Sequence, residues 1–426
     1  MPTVSRGIPS RPHLDIPKRE ARLLLKHWNE RDPAALDRLR RHPKYQYTEP
    51  AALNAVKLRL SDAQLVVARE YGLSSWPQLK QRIEANPHVH ALDVAIRADD
   101  RDAVTALLRD HPALLHLPVS SGNWGPPMSH AANLGRLEIM KIAAQLGAGD
   151  FQHALGRALL HGKLDIAQWL LSRGAKLERG EVMGACECLN LAGLRFLAEQ
   201  GAPFTDAKGD RLAPLALVLE TYGRNPREKH QILDLFIQHG YELPDTPIMA
   251  LHRGQTDRLK AHLQRDHRLM DRRFTTREIY PAELGCAPDG GSGLHGTPVD
   301  GTTLLHLAIE FDEEEIFQWL LEQGADPNAR ANIDAEGSGG HTPLFNSVVS
   351  MPAANGRQRD ALMTRTLLTR GASRDVRATL RKFLDWQETP CWHEARDVTP
   401  LQWARGFPEH NWINSAAVQV LDDRPE

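Results

Sequence analysis

Three glycines spaced 27 residues apart, Gly147, Gly174 and Gly201, constrain this chain more than any other feature. Each closes a near-identical segment: "LEIMKIAAQLGA" (Leu137–Ala148), "LDIAQWLLSRGA" (Leu164–Ala175) and "LAGLRFLAEQGA" (Leu191–Ala202). Further on come "EEEIFQWLLEQGA" (Glu313–Ala325) and "TRTLLTRGA" (Thr364–Ala372). Each reads as a helix with one apolar stripe, ended by a glycine that can take positive φ after the last turn. A repeated segment of this kind cannot bury its stripe alone. It must stack on copies of itself, so the fold is a solenoid.

A shorter helix precedes each segment, often opened by Thr-Pro or a variant. "PPMSHAANLG" (Pro126–Gly135), "TTLLHLAIE" (Thr302–Glu310), "TPLFNSVV" (Thr342–Val349) and "TPLQWAR" (Thr399–Arg405) are examples. Threonine caps the helix and proline fits its first turn. This helix–turn–helix–loop unit resembles the ankyrin repeat, whose signature is T-P-L-H-x-A. Thr303–Ala308 carries the signature with Leu304 in place of proline, and "GADPNAR" (Gly324–Arg330) is similar to the ankyrin connection. The resemblance covers roughly residues 88–421, about nine degenerate units, and implies an all-α ankyrin-type solenoid.

Residues 14–87 do not follow the repeat. Pro33 opens a second helix there, Ser61 reads as the cap of a helix through Glu70, and Gly72 stops it before Ser75 starts another containing Trp76. This segment resembles a helical head found ahead of bacterial ankyrin arrays, which implies a bacterial origin and a capping role for the open end of the stack. Trp76 reads as a core anchor. The sequence thus divides into a tail (1–13), a helical N-terminal cap (14–87), short-finger repeats (88–270), repeats with long loop insertions (271–375) and a divergent C-terminal capping repeat (376–426).

With 426 residues, 41% hydrophobic and 25% charged, the chain is too long for one ordinary core and has a globular composition. No run of about 18 apolar residues predicts a membrane span. No signal-peptide core opens the sequence, which predicts a cytoplasmic protein. Four cysteines make no disulfide framework, and Cys186-x-Cys188 is too tight for a zinc knuckle. Residues 1–85 carry 16 Lys+Arg against 9 Asp+Glu. No recognition-helix or aromatic-rich basic pattern accompanies them, so solvated helix faces explain them and nucleic acid is not the expected partner. No phosphate-binding loop, dinucleotide fingerprint, nucleophile elbow or H-E-x-x-H occurs. The reading therefore assigns no cofactor and no metal.

Solenoids bind along the concave face and at the loop tips. Seventeen residues before the closing glycine, where an apolar stacking residue belongs, stand His130, Arg157 and Gly184 in successive units. A polar groove, with Trp124 beside it, or pairing of Arg157 with Glu187 or another carboxylate would explain them. The long insertions around 271–300 and 328–342 precede adjacent repeats and should meet in space. They offer Glu278, Glu283, Cys286, His295, Asp334, Glu336 and His341, while Tyr280, Pro281, Leu284 and Leu294 suggest packing against the stack. His306 is read as the repeat's own histidine, bonded to loop backbone, and His341 as its counterpart in the neighbouring finger. His295 has no such structural reason.

Two functions follow as expectations. One is a scaffold that binds a protein partner through the concave groove and the long C-terminal loops, with Trp124, His130, Arg157, Glu187, Cys286, His295 and His341 as contact residues. The other is an enzyme or small-ligand protein with a pocket walled by the two insertions, in which His295, His341, Glu283 and Asp334 would do acid–base work. The two differ in whether His295, His341 and a carboxylate converge on one point.

Overall fold

The structure is a computed structural model that describes residues 15–30, 32–39, 42, 45, 58–84, 87–120, 124–288, 294–384 and 391–423. The predicted tail (1–13) lies outside the described residues. The chain forms two compact units, Met1–Ser120 and Ser121–Glu426.

In the first unit the helices Asp15–Asn29, Pro33–Leu39, Leu60–Glu70 and Trp76–Glu84 surround a core that includes Leu24, Trp28, Leu39, Val66, Val67 and Leu79. Trp76 packs against this core, partly buried. Among the described charged residues of these four helices Glu70 is buried, and its carboxylate takes two hydrogen bonds from Arg38 at 2.8 and 2.9 Å. That fork keeps the carboxylate from facing the core unpaired. Pro33 opens its helix as read. Ser61 does not cap: the Leu60–Glu70 helix starts one residue earlier, and Asp62 accepts from the Arg59 N–H at 2.7 Å. A carboxylate two residues inside the helix meets its positive end better than a hydroxyl. The unit ends with the pair Pro87–Ala98 and Arg101–Asp110, the latter capped by Asp100.

The second unit is built of helix pairs. The inner helices Pro127–Leu134, Phe151–Leu160, Glu181–Glu187 and Leu212–Glu220 stack in series, as do Pro247–His252, Leu304–Glu310, Pro343–Val348 and Pro400–Gly406. Each is followed by an outer helix, among them Leu137–Gln145, Leu164–Ser172, Leu191–Glu199, Glu314–Glu322 and Leu362–Thr369. The closing glycines take positive φ: 108° at Gly147, 100° at Gly174, 72° at Gly201, 91° at Gly324 and 93° at Gly371. Thr246 caps its helix through the Met249 N–H at 3.1 Å, and Thr399 through the Gln402 N–H at 3.3 Å.

Among the described residues the helical class acquires one exception. Ala378–Leu384 (β1) and Cys391–Val398 (β2) form an antiparallel hairpin in the stretch read as a capping repeat. β1 alternates, with Leu380, Lys382 and Leu384 buried on one face and Arg381 and Phe383 on the other. β2 hides this pattern from the sequence, because most of it is exposed. Single bridges continue the row of fingers from Phe274–Thr302 through Ile333–Gly339 to Gly339–Thr379.

Candidate functional site

The inner-helix groove begins at Trp124, whose ring lies 5.2 Å from that of His130. His130 is fully buried and is not a groove surface. Arg157 is half-buried and donates to the Asn133 side-chain oxygen from Nε at 2.9 Å and Nη2 at 2.5 Å. The anticipated carboxylate partner is therefore an amide one helix back, which meets the guanidinium fork without a second buried charge. Burial lowers the Arg157 pKa, while Cys188, Glu187 and Tyr222 counter it. Thr221 donates to the Glu187 carbonyl, and burial, then the charges of Glu187 and Cys188, raises the Tyr222 pKa. Polar groups thus follow the inner helices in order: Asn133, Arg157 and Glu187 stand on the first three, and Tyr222 stands in the turn after the fourth. Gly184 takes the remaining stacking place, where a Cβ would meet Leu160 at 3.1 Å.

A second, buried cluster lies where the 271–299 insertion packs against the inner helices. Arg224, in the turn after Leu212–Glu220, is 5% exposed. It donates to the carbonyls of Glu310 (2.9 Å), Thr221 (2.6 Å) and Leu294 (3.0 Å). Its Nη2 also stands 3.6 Å from Glu310 Oε1. His295 follows Leu294, with Nδ1 3.2 Å from Glu310 Oε1 and Nε2 2.6 Å from the Tyr280 hydroxyl. The neutral ring satisfies both contacts: Nδ1–H donates to Glu310, and Nε2 accepts from Tyr280. Burial, then Arg224, keeps the His295 pKa well below the ordinary histidine value. Burial pushes Glu310 up to about 7 against the pull of Arg224, the Met351 N–H and Lys382.

Beside it Lys229, on the outer helix Pro226–Gln238, donates to His252 Nδ1 at 3.0 Å. His252 Nε2 donates to the Ile279 carbonyl at 2.9 Å, so Nδ1 carries the lone pair that the lysine meets. Burial and the Arg224 charge lower the Lys229 pKa to about 7. Cys286 is also buried, and loss of solvent raises its thiol to about 12, so it is no nucleophile at neutral pH.

The quartet His295, His341, Glu283 and Asp334 does not converge. His341 is buried, donates from Nε2 to the Pro298 carbonyl at 3.0 Å, and lies edge-on to His306. His306 in turn reaches the His341 carbonyl at 3.3 Å and the Thr303 hydroxyl at 2.9 Å. Glu283 is exposed in a short 3-10 turn. Asp334 holds its own finger tip, accepting from the Glu336 and Ser338 N–H groups at 3.0 and 2.7 Å. The two insertions do meet, at backbone carbonyls: the Asn332 N–H donates to that of Gly301 at 2.9 Å, and the Arg273 side chain to that of Arg330 at 3.0 Å. Among the described residues no group of three or more His, Cys, Asp or Glu could hold a metal ion.

Arg224, Lys229, His252 and Glu310 were not singled out from the sequence. One signal was available: Glu310 ends "LLHLAIE", a helix buried at every position, and a charge there requires a partner. Arg224 had only the extended turn around it.

Residues 300–332 match the ankyrin repeat family model, the length of one repeat. The ankyrin repeat generally mediates protein–protein interaction. No curated protein matches the sequence. A solved structure similar to this chain is the human ASB11 ankyrin repeat domain, at 16% identity over 70% of this chain and 99% of that chain, with a TM-score of 0.25. No helix among the described residues is long and apolar enough to cross a membrane.

Proposed function

We propose that the chain binds a protein partner along the row Asn133–Arg157–Glu187–Tyr222, with Trp124 at its edge. One observation carries the reading: Arg157 is fixed by Asn133 of the preceding inner helix and the Glu187 carbonyl by Thr221, yet Tyr222 is left 41% exposed. With helices packed roughly 8–10 Å apart, four of them span about 30 Å. That is the length of roughly nine extended residues and too long for a compact metabolite. Tyrosine, arginine and tryptophan are also the side chains that concentrate energy at protein interfaces. The half-buried Arg157 is held in place before binding, so little side-chain entropy is lost on contact.

The experiment is site-specific photo-crosslinking in the producing cell. p-Benzoylphenylalanine replaces Tyr222 in one variant and the exposed Ile333 in a control. A defined crosslinked protein at position 222, absent at 333 and lost when Arg157→Ala is added, supports the reading. Equal products at both positions, or none at 222, count against it.

A further inference from the structure

Three residues join inner to outer helix in pairs such as Phe151–Leu160 with Leu164–Ser172 (161–163) and Leu304–Glu310 with Glu314–Glu322 (311–313). The last two pairs differ. Residues 349–361 separate Pro343–Val348 from Leu362–Thr369, and residues 407–414 separate Pro400–Gly406 from the outer helix Ser415–Asp422. Stacking does not require either extension, and the two are fastened to each other. The Ser350 N–H donates to the Trp412 carbonyl at 3.1 Å, the Asn414 N–H to the Val348 carbonyl at 3.0 Å, and Asn414 Nδ2 to the Asp360 carbonyl at 2.8 Å. Gln358 ties the first extension to the preceding pair, donating to the Ile309 carbonyl and to Asp312 Oδ1, both at 3.0 Å.

The two extensions wall a cleft of about 470 Å³, the size of a small-ligand site. Ala353, Arg357, Arg359, His410, Ile413 and Ser415 are among its lining residues, and no described lining residue is a carboxylate. Arg357 gives its Nε to Asp312, which leaves Nη1 and Nη2 without a protein acceptor among the described residues. The exposed Arg359 lies against Gly356, where a Cβ would stand 2.7 Å from its Nη2, and donates to no described residue. Asp360, next in chain, is turned to the outer helix, accepting from the Leu362 N–H at 3.1 Å. Ser415 opens the helix Ser415–Asp422 and so stands at its positive end.

We propose that this cleft binds the phosphate monoester of a small organic molecule, with Arg357, Arg359 and Ser415 on the phosphate. Charge selects an anion: two guanidiniums and a helix N-terminus line the cleft, and the carboxylates beside them are engaged elsewhere. The placing of the donors selects phosphate. They come from two chain segments, and a phosphate presents three terminal oxygens in different directions where a carboxylate presents two in one plane. Size selects an ester, since a bare phosphate fills a small part of 470 Å³ and Ala353, Ala354 and Ile413 offer apolar wall to an organic body. The proposal does not rest on the partner-binding reading above.

The test is calorimetry of the full chain with glucose 6-phosphate, adenosine 5′-monophosphate and O-phosphoserine, at physiological ionic strength so that surface attraction is screened. Inorganic phosphate, glucose, adenosine and succinate are the controls. Arg359→Gln breaks no hydrogen bond among the described residues and is expected to melt with the wild type. Arg277→Gln removes the same charge from an exposed arginine outside the cleft. Saturable binding of one ester, weakened about tenfold or more by Arg359→Gln and unchanged by Arg277→Gln, supports the site. Saturable binding by none of the esters would overturn it, as would equal affinities in wild type and Arg359→Gln or equal losses in the two variants. Inorganic phosphate or succinate binding as tightly as the best ester would mean an adventitious ion only, and glucose or adenosine doing so would mean that the phosphate is not recognised. Either result overturns the proposal.

Discussion

His295 Nδ1 lies 3.2 Å from Glu310 Oε1, and through this contact a residue of the inserted loop meets the last residue of an inner helix. The other ring nitrogen holds Tyr280, so one imidazole ties two parts of the insertion to the stack. The insertion is thereby a packed layer, and its histidine is neutral, buried and engaged on both sides.

Removing that ring should be costly. His295→Ala removes one of the partners of Glu310 Oε1, leaves the buried Tyr280 hydroxyl without its acceptor, and leaves a cavity. We expect a loss of roughly 3–5 kcal/mol in unfolding free energy, measured by urea titration. Tyr280→Phe deletes one hydrogen bond, leaves the imidazole acceptor unmet, and should cost about 1–2 kcal/mol. A cost below about 0.5 kcal/mol for His295→Ala would show that the contact carries no stability.

Glu310 and Lys229 give the second unit an unusual pH profile. Glu310 titrates near 7 when folded and near 4.5 when unfolded, so between these values the folded state holds more protons and stability falls as pH rises. Lys229 titrates near 7 when folded and 10.5 when unfolded, so above 7 the unfolded state holds more protons and stability rises with pH. Together the two groups place a dip near pH 7, each limb on the order of a few kcal/mol. Urea midpoints from pH 5 to 10 should show Glu310→Gln flattening the acid limb and Lys229→Met the alkaline one. Unchanged limbs in both variants would refute the assignment.

Gly296 is required by close approach. A Cβ there would stand 2.7 Å from the Ser350 backbone nitrogen and 2.8 Å from its Cα. Backbone cannot rotate away as a side chain can, so Gly296→Ala must separate the insertion from the loop that leads to Met351. We expect a loss of about 2–4 kcal/mol, against a few tenths for Ala at Gly406, where nothing lies within 4 Å. Thermal melting of the two variants side by side decides it.

Periodicity and punctuation made the helix pairs legible. Gly147, Gly174 and Gly201 close their helices at positive φ, Thr399-Pro400 opens one, and His306 bonds to the neighbouring finger as its sequence position implied. The buried cluster was not legible, because its contacts join residues far apart in the chain: Arg224 reaches His295 across 71 positions and Glu310 across 86. Local patterns record helix faces, and no local pattern records which distant carbonyls a guanidinium will meet. His295 could be suspected only because the repeat gave it no role, and His341 could not be told from it by spacing. The hairpin escaped because β2, "CWHEARDV", is mostly exposed and lacks the alternation that β1 shows.

Arg224 is the group on which the insertion's attachment turns. Its protons go to carbonyls from three places in the chain: its own turn (Thr221), the insertion (Leu294) and the end of an inner helix (Glu310). Lysine has the charge but not the planar fork, and its one nitrogen cannot stand at the three places from which Nε, Nη1 and Nη2 donate. Arg224→Lys should therefore behave as a loss of hydrogen bonds with the charge retained, costing about 2–4 kcal/mol. Arg224→Met removes the charge as well and leaves Glu310 without its nearest cation, so the Glu310 pKa rises further and the acid limb of the pH profile extends above pH 7. Hydrogen exchange should quicken first at residues 274–286, within the insertion, while the Leu137–Gln145 and Leu164–Ser172 helices keep their protection. Uniform loss of protection across all these helices would instead mean that Arg224 supports the whole stack and not the attachment of one layer.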